Sequence, residues 1–399
     1  MKTHLLTIEV ALFNLINMRS RYYTNEHEEK RQEIKAFFDQ EVQPYIDQWE
    51  KEQHIPKSIW KKMGERGYLG YGFPEEYGGT NRDFWYNVLL VEEVSKIRSG
   101  GFNAAFGITQ MALPYIHKYG SEYLKQKYLK PVVMGDMNCC MAITEPGGGS
   151  DVANAKTIAL RDGDHYIVNG SKTFITNGIL GDYFVTVVKT DPGAGFAGFS
   201  LLIIDANAEG VTKNPIHKMG WHASDTAEIG FNNVKVPAKN LIGIEGSGFF
   251  YLMGGLQYER LSMALGSIND AVNALEYTIQ QKAKLLKGAD NQQKRHDLAQ
   301  MVADVELSKQ FVYQCCKNHE EGEYMVLECS IAKVNATALA DKIIIKCIEI
   351  MDDLGVREDH FLARMYRDSR IGTIGGGSQE IMFEIISKMV VDDKKYGAA

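Results

Sequence analysis

The spacing of apolar residues changes character twice along the chain. From about residue 25 to 135 it is helical. Ile34, Phe37, Phe38 and Val42 recur at i, i+3, i+4 and i+8, a stripe on one helix face. Pro44, Pro56 and Pro114 are expected to punctuate this region, and GYGFPEEYGG (70–79) to form a loop. From about 139 to 245 the period becomes two. TIALRDGDHYIVNGSKTFITNG (157–178) holds two strand-like runs joined at Asp162-Gly163, a hairpin signal, and Phe184 to Val188, Phe199 to Ile204 and Val234 to Val236 continue the strands. From about 248 helices return, with Leu298, Met301, Val302 and Val305 in one stripe and Leu327, Ile331, Val334 and Ala338 in another, both read as core. The expected organisation is an extension (1–21), a helical domain (22–138), a middle β domain (139–247) and a C-terminal helical bundle (248–399). There is no internal repeat.

Composition narrows the picture modestly. A chain of 399 residues, 45% hydrophobic and 24% charged, buries a large core across two or three domains. A net charge of −7 argues against nucleic acid as a main partner. Cys139, Cys140, Cys315, Cys316, Cys329 and Cys347 form neither a zinc spacing nor a disulfide framework, which points to reduced thiols. No apolar run reaches the ~18 residues of a membrane span. The first 21 residues, MKTHLLTIEVALFNLINMRSR, fit a transit peptide poorly; the reading is an extension, or an upstream start before Met18, on a cytoplasmic protein, or a mitochondrial matrix protein if eukaryotic.

Four segments carry chemistry. MAITEPGGGSDVANAKT (141–157) ends a strand in a glycine-rich turn, where backbone N–H groups come close to a planar or phosphate ligand and a hydroxyl such as Thr144 reaches a ring heteroatom. NGSKTFITNG (169–178), MGWHASDTAEIGFNNVKVPAKNLIG (219–243) and YRDSRIGTIGGGSQEIM (366–382) follow in order. Together they resemble the signatures of the acyl-CoA dehydrogenases over roughly residues 22 to 395. One departure in the third segment is His222, where the family usually has Arg.

The resemblance implies an α+β multidomain fold: an N-terminal all-α domain, a middle β-barrel-like domain and a C-terminal four-helix bundle. It implies FAD as cofactor, contacted by Met141, Ile143, Thr144, Gly149, Ser150, Phe174, Ile175, Thr176, Gln281, Gln292, Ser378 and Glu380. It implies an acyl-CoA or acyl-carrier thioester lying along Ser150, Gln257, Tyr258 and Arg260. An electron-transferring flavoprotein is the implied acceptor and a homodimer or homotetramer the implied assembly. The implied reaction removes an α proton and a β hydride, giving a trans-2-enoyl thioester. The alternatives are a catalytically silent scaffold of the same fold, or an oxidase or carrier-protein-thioester dehydrogenase.

Most of the family place the catalytic glutamate where this chain has Gly376. Gly376 can still offer its backbone N–H to an enolate oxygen, but an α C–H needs a base. In the isovaleryl and long-chain branches that base is a Glu directly before an Arg on the first helix of the bundle. In GFFYLMGGLQYERLSMALG (248–266), Glu259-Arg260 stands at that place. Glu380 and Glu384 are the rivals. Gly375 replaces a Tyr found in many relatives, which suggests room for a branched or bulky acyl group. At the far end of the cofactor, Gln281 stands for the family's Arg, and Glu349, Asp352 and Asp353 stand for a Gln and two Gly. Either FAD binds through altered contacts with Lys282 or Lys284, or it binds weakly or not at all. His117 and His165 lack ligand spacing and are read as structural.

Overall fold

The computed structural model describes residues 21–287, 289–392 and 394. The predicted extension, apart from Arg21, lies outside the described residues.

The N-terminal region holds α1 (Asn25–Glu41), α2 (Ile46–Glu52), α3 (Lys57–Glu65), α4 (Phe84–Ser95) and α5 (Gly100–Tyr119), followed by single turns α6 (Glu122–Leu124) and α7 (Lys130–Val133) around a π turn. Caps fix where the main helices start. Thr24 accepts from the N–H of His27, Asp83 from Trp85 and Ser99 from Phe102. The stripe Ile34, Phe37, Phe38 and Val42 is fully buried. Pro114 does not end a helix: it lies inside α5. One ladder bond is lost there. Burial of Ala112, Leu113, Tyr115 and Ile116 around it holds the helix together nonetheless.

The middle region is an eight-stranded sheet of β1 (Cys139–Ala142), β2 (Ile158–Asp162), β3 (His165–Thr176), β4 (Tyr183–Lys189), β5 (Phe199–Asp205), β6 (Val211–Pro215), β7 (Thr226–Pro237) and β8 (Leu241–Ile242). The strand order is β6-β7-β3-β2-β4-β5-β8, with β1 parallel to β4. The sheet curls on itself, so that Phe184 of β4 and Phe231 of β7 meet with ring centroids 6.3 Å apart in a shared interior. The outer face of β1, β4 and β5 packs on α5. Alternation along each strand separates these two cores.

The C-terminal bundle comprises α8 (Gly248–Lys282), α9 (Gln292–Glu320), α10 (Val326–Met351), α11 (Phe361–Ser369) and α12 (Gln379–Val390). Met301 and Val305 are core as expected. The second predicted stripe is displaced: on α10 the buried positions include Cys329, Ala332, Lys333, Ala336, Thr337 and Ala340, while Ile331 and Ala338 are exposed and Leu327 and Val334 only half-buried. Both faces of α10 are apolar, so periodicity could not choose between them. The three regions meet at Asp368 of α11, whose carboxylate accepts the N–H of Gly100 at 2.9 Å and of Trp221 at 2.6 Å. All six cysteines are free and buried. No described helix is long and apolar enough to cross a membrane.

Candidate active site

The first wall of the site is set by a buried ion pair. Lys172 of β3 is wholly inaccessible, and its Nζ donates to the Ile143 carbonyl at 3.0 Å and to the Glu145 carboxylate at 2.8 Å. Glu145 also receives the N–H groups of Lys156 and Thr157 at 2.6 and 3.0 Å. Burial alone would raise the Glu145 carboxyl, but Lys172 and these donors bring it below the usual range. Burial pulls the Lys172 ammonium down, and Glu145 opposes it. The pair therefore ties the glycine-rich turn to β3 at both ends. The N–H of Thr173 closes the join on the Thr144 carbonyl at 2.8 Å.

Directly beyond Lys172 the pairing of β3 with β7 slips, and Phe174 takes φ 56°. A bulge in the left-handed region is costly for an aromatic residue and re-aims its side chain. Phe174 is 64% exposed, whereas Ile175 points into the sheet interior at 2%. Thr144, Ile143 and Thr176 are half-buried beside Met141, which is buried. An aromatic ring held out of the sheet beside two threonines forms a face suited to a planar heterocycle, so the ring end of FAD fits these residues. Gly149 and Ser150 lie exposed on the turn.

The second wall is α8 and the loop before α12. Glu259 is half-buried one turn after Gly255, where a Cβ would lie 1.9 Å from the Tyr115 hydroxyl; only glycine admits that tyrosine. Burial raises the Glu259 carboxyl above its ordinary range, while Arg260 and Lys333 oppose the rise. Gly376 and Gly377 have φ of 63° and 98°, and a Cβ on Gly376 would stand 3.0 Å from Met263 Cγ. A side chain at 376 is thus disfavoured by backbone and by space. An added Cβ on Gly375 would make ordinary van der Waals contact with Ile371 at 3.6 Å, so a side chain there meets no clash at its first atom.

Other residues expected at the site make these contacts within the protein. Gln257 is buried, and its amide oxygen accepts the N–H of Met325 at 2.6 Å, holding the start of α10. Tyr258 packs between Phe84 and His319. Ser378 caps α12 by accepting from Ile381, and Glu380 sits in that helix's first turn. His222 Nε2 lies 2.9 Å from the Lys218 carbonyl. At the far end Gln281 and Gln292 are exposed at the facing ends of α8 and α9. Asp352 adopts φ 54°, a conformation that favours glycine, and its carboxylate pairs with Lys282 at 3.0 Å; Glu349 pairs with Lys346 at 2.6 Å. Two of the three added carboxylates, Asp352 and Glu349, thus carry their own counter-charges.

Lys172 and Lys333 were missed in the sequence, because a lysine reads as surface. The signal was phase: Lys333 falls in register with Cys329, Ala336 and Ala340.

The family models described as the N-terminal, middle and C-terminal domains of acyl-CoA dehydrogenase match residues 24–136, 140–234 and 246–391. The chain belongs to the acyl-CoA dehydrogenase family, whose members are flavoprotein oxidoreductases of fatty-acid metabolism. It is 34% identical to the long-chain specific acyl-CoA dehydrogenase of Sus scrofa mitochondria, over 94% of this chain and 88% of that protein. It is 31% identical to the short/branched chain specific enzyme of Bos taurus, over 92% and 86%. An acyl-CoA dehydrogenase structure from Geobacillus kaustophilus superposes with a TM-score of 0.88 at 39% identity, covering 93% of this chain and 99% of that one.

Proposed function

We propose that the protein carries out FAD-dependent α,β-dehydrogenation of an acyl thioester, with Glu259 as the base. The observation that carries this reading is Glu259 itself: a half-buried carboxylate with a raised proton affinity, flanked by Arg260 and by Lys333, which also holds the glycine loop, where residues 375–377 carry no acid. Glu259 takes the α proton, and the Gly376 N–H stabilises the enolate oxygen that develops on the thioester. FAD, when bound, supplies the acceptor for the β hydrogen, which leaves with its electron pair as the carbon–carbon double bond forms. Thr144, Thr176 and Phe174 hold the flavin ring, and Ser150, Tyr258 and Arg260 bound the thioester's path. Gln257 supports this wall from behind. The absence of a side chain at Gly375 favours a branched or bulky acyl group.

Electrons then pass to an electron-transferring flavoprotein. A second copy of the chain covers a groove of about 770 Å³ between α9, α10 and α12, lined by Leu307, Phe311, Ile331, Val334, Phe383 and Ile386. Leu307 is 74% exposed there, and Phe383 is exposed as well.

Absorbance of the purified protein, titrated anaerobically with a panel of acyl-CoAs, tests the reading. A yellow protein that bleaches, yields a trans-2-enoyl product and prefers branched acyl groups supports it. A protein that stays colourless with added FAD overturns it, and preference for short straight chains overturns the assignment at Gly375.

A further inference from the structure

Lys333 is the one large cationic side chain on the buried face of α10, set among Cys329, Ala332, Ala336 and Thr337 and without solvent exposure. A lysine in that position is costly unless it does something for the fold or the site. Its Nζ donates to the Gly377 carbonyl at 2.5 Å, and no described carboxylate lies within ion-pair distance of it. Around it stand Arg260 and Glu259 from α8 and Glu380 from α12.

The placement joins two parts of the proposed site. Gly377 follows Gly376 in a stretch of two left-handed residues, a conformation with many alternatives for glycine. A hydrogen bond to the Gly377 carbonyl fixes the Gly377–Ser378 peptide plane, and through the two glycine hinges it limits where the Gly375–Gly376 plane, which carries the Gly376 N–H, can point. The helix cap at Ser378 fixes the next one. Met263 and Met382 crowd the loop from the other sides, at 3.0 Å and 2.6 Å from where a Cβ would be on Gly376 and Gly377. The same ammonium adds a positive charge within electrostatic reach of Glu259, next to that of Arg260.

We propose that Lys333 is a positioning residue for this reaction: it clamps the glycine loop through the Gly377 carbonyl, aligning the Gly376 N–H with the thioester oxygen, and sets a positive charge beside Glu259. This rests on the reading of Glu259 as base. A proton on Lys333 is held less tightly than usual, down to about 8, because burial and Arg260 oppose the charge while Glu259 and Glu380 favour it. Above that pH the amine is neutral and Glu259 loses one of its two cations.

The test compares Lys333→Met with the parent holoprotein. Two CoA ligands that cannot be oxidised report on the loop: a 3-thia-acyl-CoA, which keeps the thioester carbonyl, and an S-alkyl-CoA, which lacks it. Loss of the clamp weakens the first about tenfold and leaves the second unchanged, since the difference is one aligned oxyanion donor. Flavin bleaching under saturating acyl-CoA falls about 10–100-fold with little change in KM, the signature of a mispositioned group. The parent's alkaline limb near pH 8 disappears from the profile. Equal weakening of both ligands, or an alkaline limb that persists in the variant, overturns the proposal. If Lys333→Met does not accumulate as holoprotein, Lys333→Gln is read by the same two ligands. Glu259→Gln run in parallel separates the two readings: bleaching retained there refutes the base, whereas bleaching lost there but kept at full rate in Lys333→Met refutes only the clamp.

Discussion

Replacing Lys172 with Met keeps the length of the side chain and removes its charge from a position with no access to water. Two acceptors lose their donor, the Ile143 carbonyl and the Glu145 carboxylate. At 2.8 Å the pair attracts by about 6 kcal/mol at an effective dielectric of 20, a gross figure from which the cost of desolvating both ions must be subtracted. Breaking one side of such a pair leaves the other charge stranded, which costs about 3–5 kcal/mol. Here Glu145 keeps two backbone donors, so the lower end, about 3 kcal/mol, is expected. That energy holds the turn bearing Thr144 against the bulge bearing Phe174, so the loss shows in flavin retention as well as in stability. The assay is a double-mutant cycle of Lys172→Met and Glu145→Gln, read by FAD affinity and by urea unfolding. Lys172→Met alone should release FAD at least about tenfold more readily, one decade being ~1.4 kcal/mol. The double variant should recover part of the loss, because a glutamine is not a stranded charge. Effects that simply add, within about 0.5 kcal/mol, would refute the coupling and with it this account of how the flavin wall is built.

Three other outcomes follow from particular residues. Asp270 is pushed up to about 8 by burial and then by Asp368. Its proton is kept in the folded state and given up in the unfolded one, so the stability it contributes is full below its ordinary value of 3.8 and is lost as the pH rises through about 8. Asp270→Asn should flatten that decline, at most ~1.4 kcal/mol per pH unit, and melt higher than the parent at pH 8; thermal melts across the range check it. Lys282→Ala should strip Asp352 of its counter-charge and weaken FAD binding about 3–10-fold at low salt, with the difference shrinking as salt screens it. No salt-sensitive change in affinity would place this ion pair away from the cofactor. Phe311→Glu should put a charge into the apolar groove and shift the assembly toward monomer in sedimentation velocity; an unchanged size would assign the interface to another face.

The order of helices, sheet and bundle was legible because each region repeats one period over a long run. The sheet strands and the stripe from Ile34 to Val42 followed directly from that. Pro114 misled, since burial on both sides of a proline can carry a helix through it. On α10 the outward face is also apolar, as a surface awaiting a partner would be, so periodicity points to either face. At the site, the glycine turns and the Glu-Arg pair stand within motifs, whereas the burial of Lys333 shows only in its phase on α10 and the role of either buried lysine in no motif. Their role depends on which backbone carbonyl comes within reach, and that is a property of tertiary packing. The charges of Asp352 and Glu349 are offset in the fold by Lys282, distant in sequence, and by Lys346, one turn away.

The proposed reaction requires that Glu259 and no other group take the α proton. Anaerobic mixing of Glu259→Gln holoprotein with a saturating acyl-CoA tests it most directly, because glutamine preserves the shape of the side chain and removes only the base. The expected result is a yellow protein that binds the thioester and bleaches about 10²–10⁴-fold more slowly than the parent, the range for a lost general base. Bleaching at the parent's rate would contradict it and move the proton transfer to another residue.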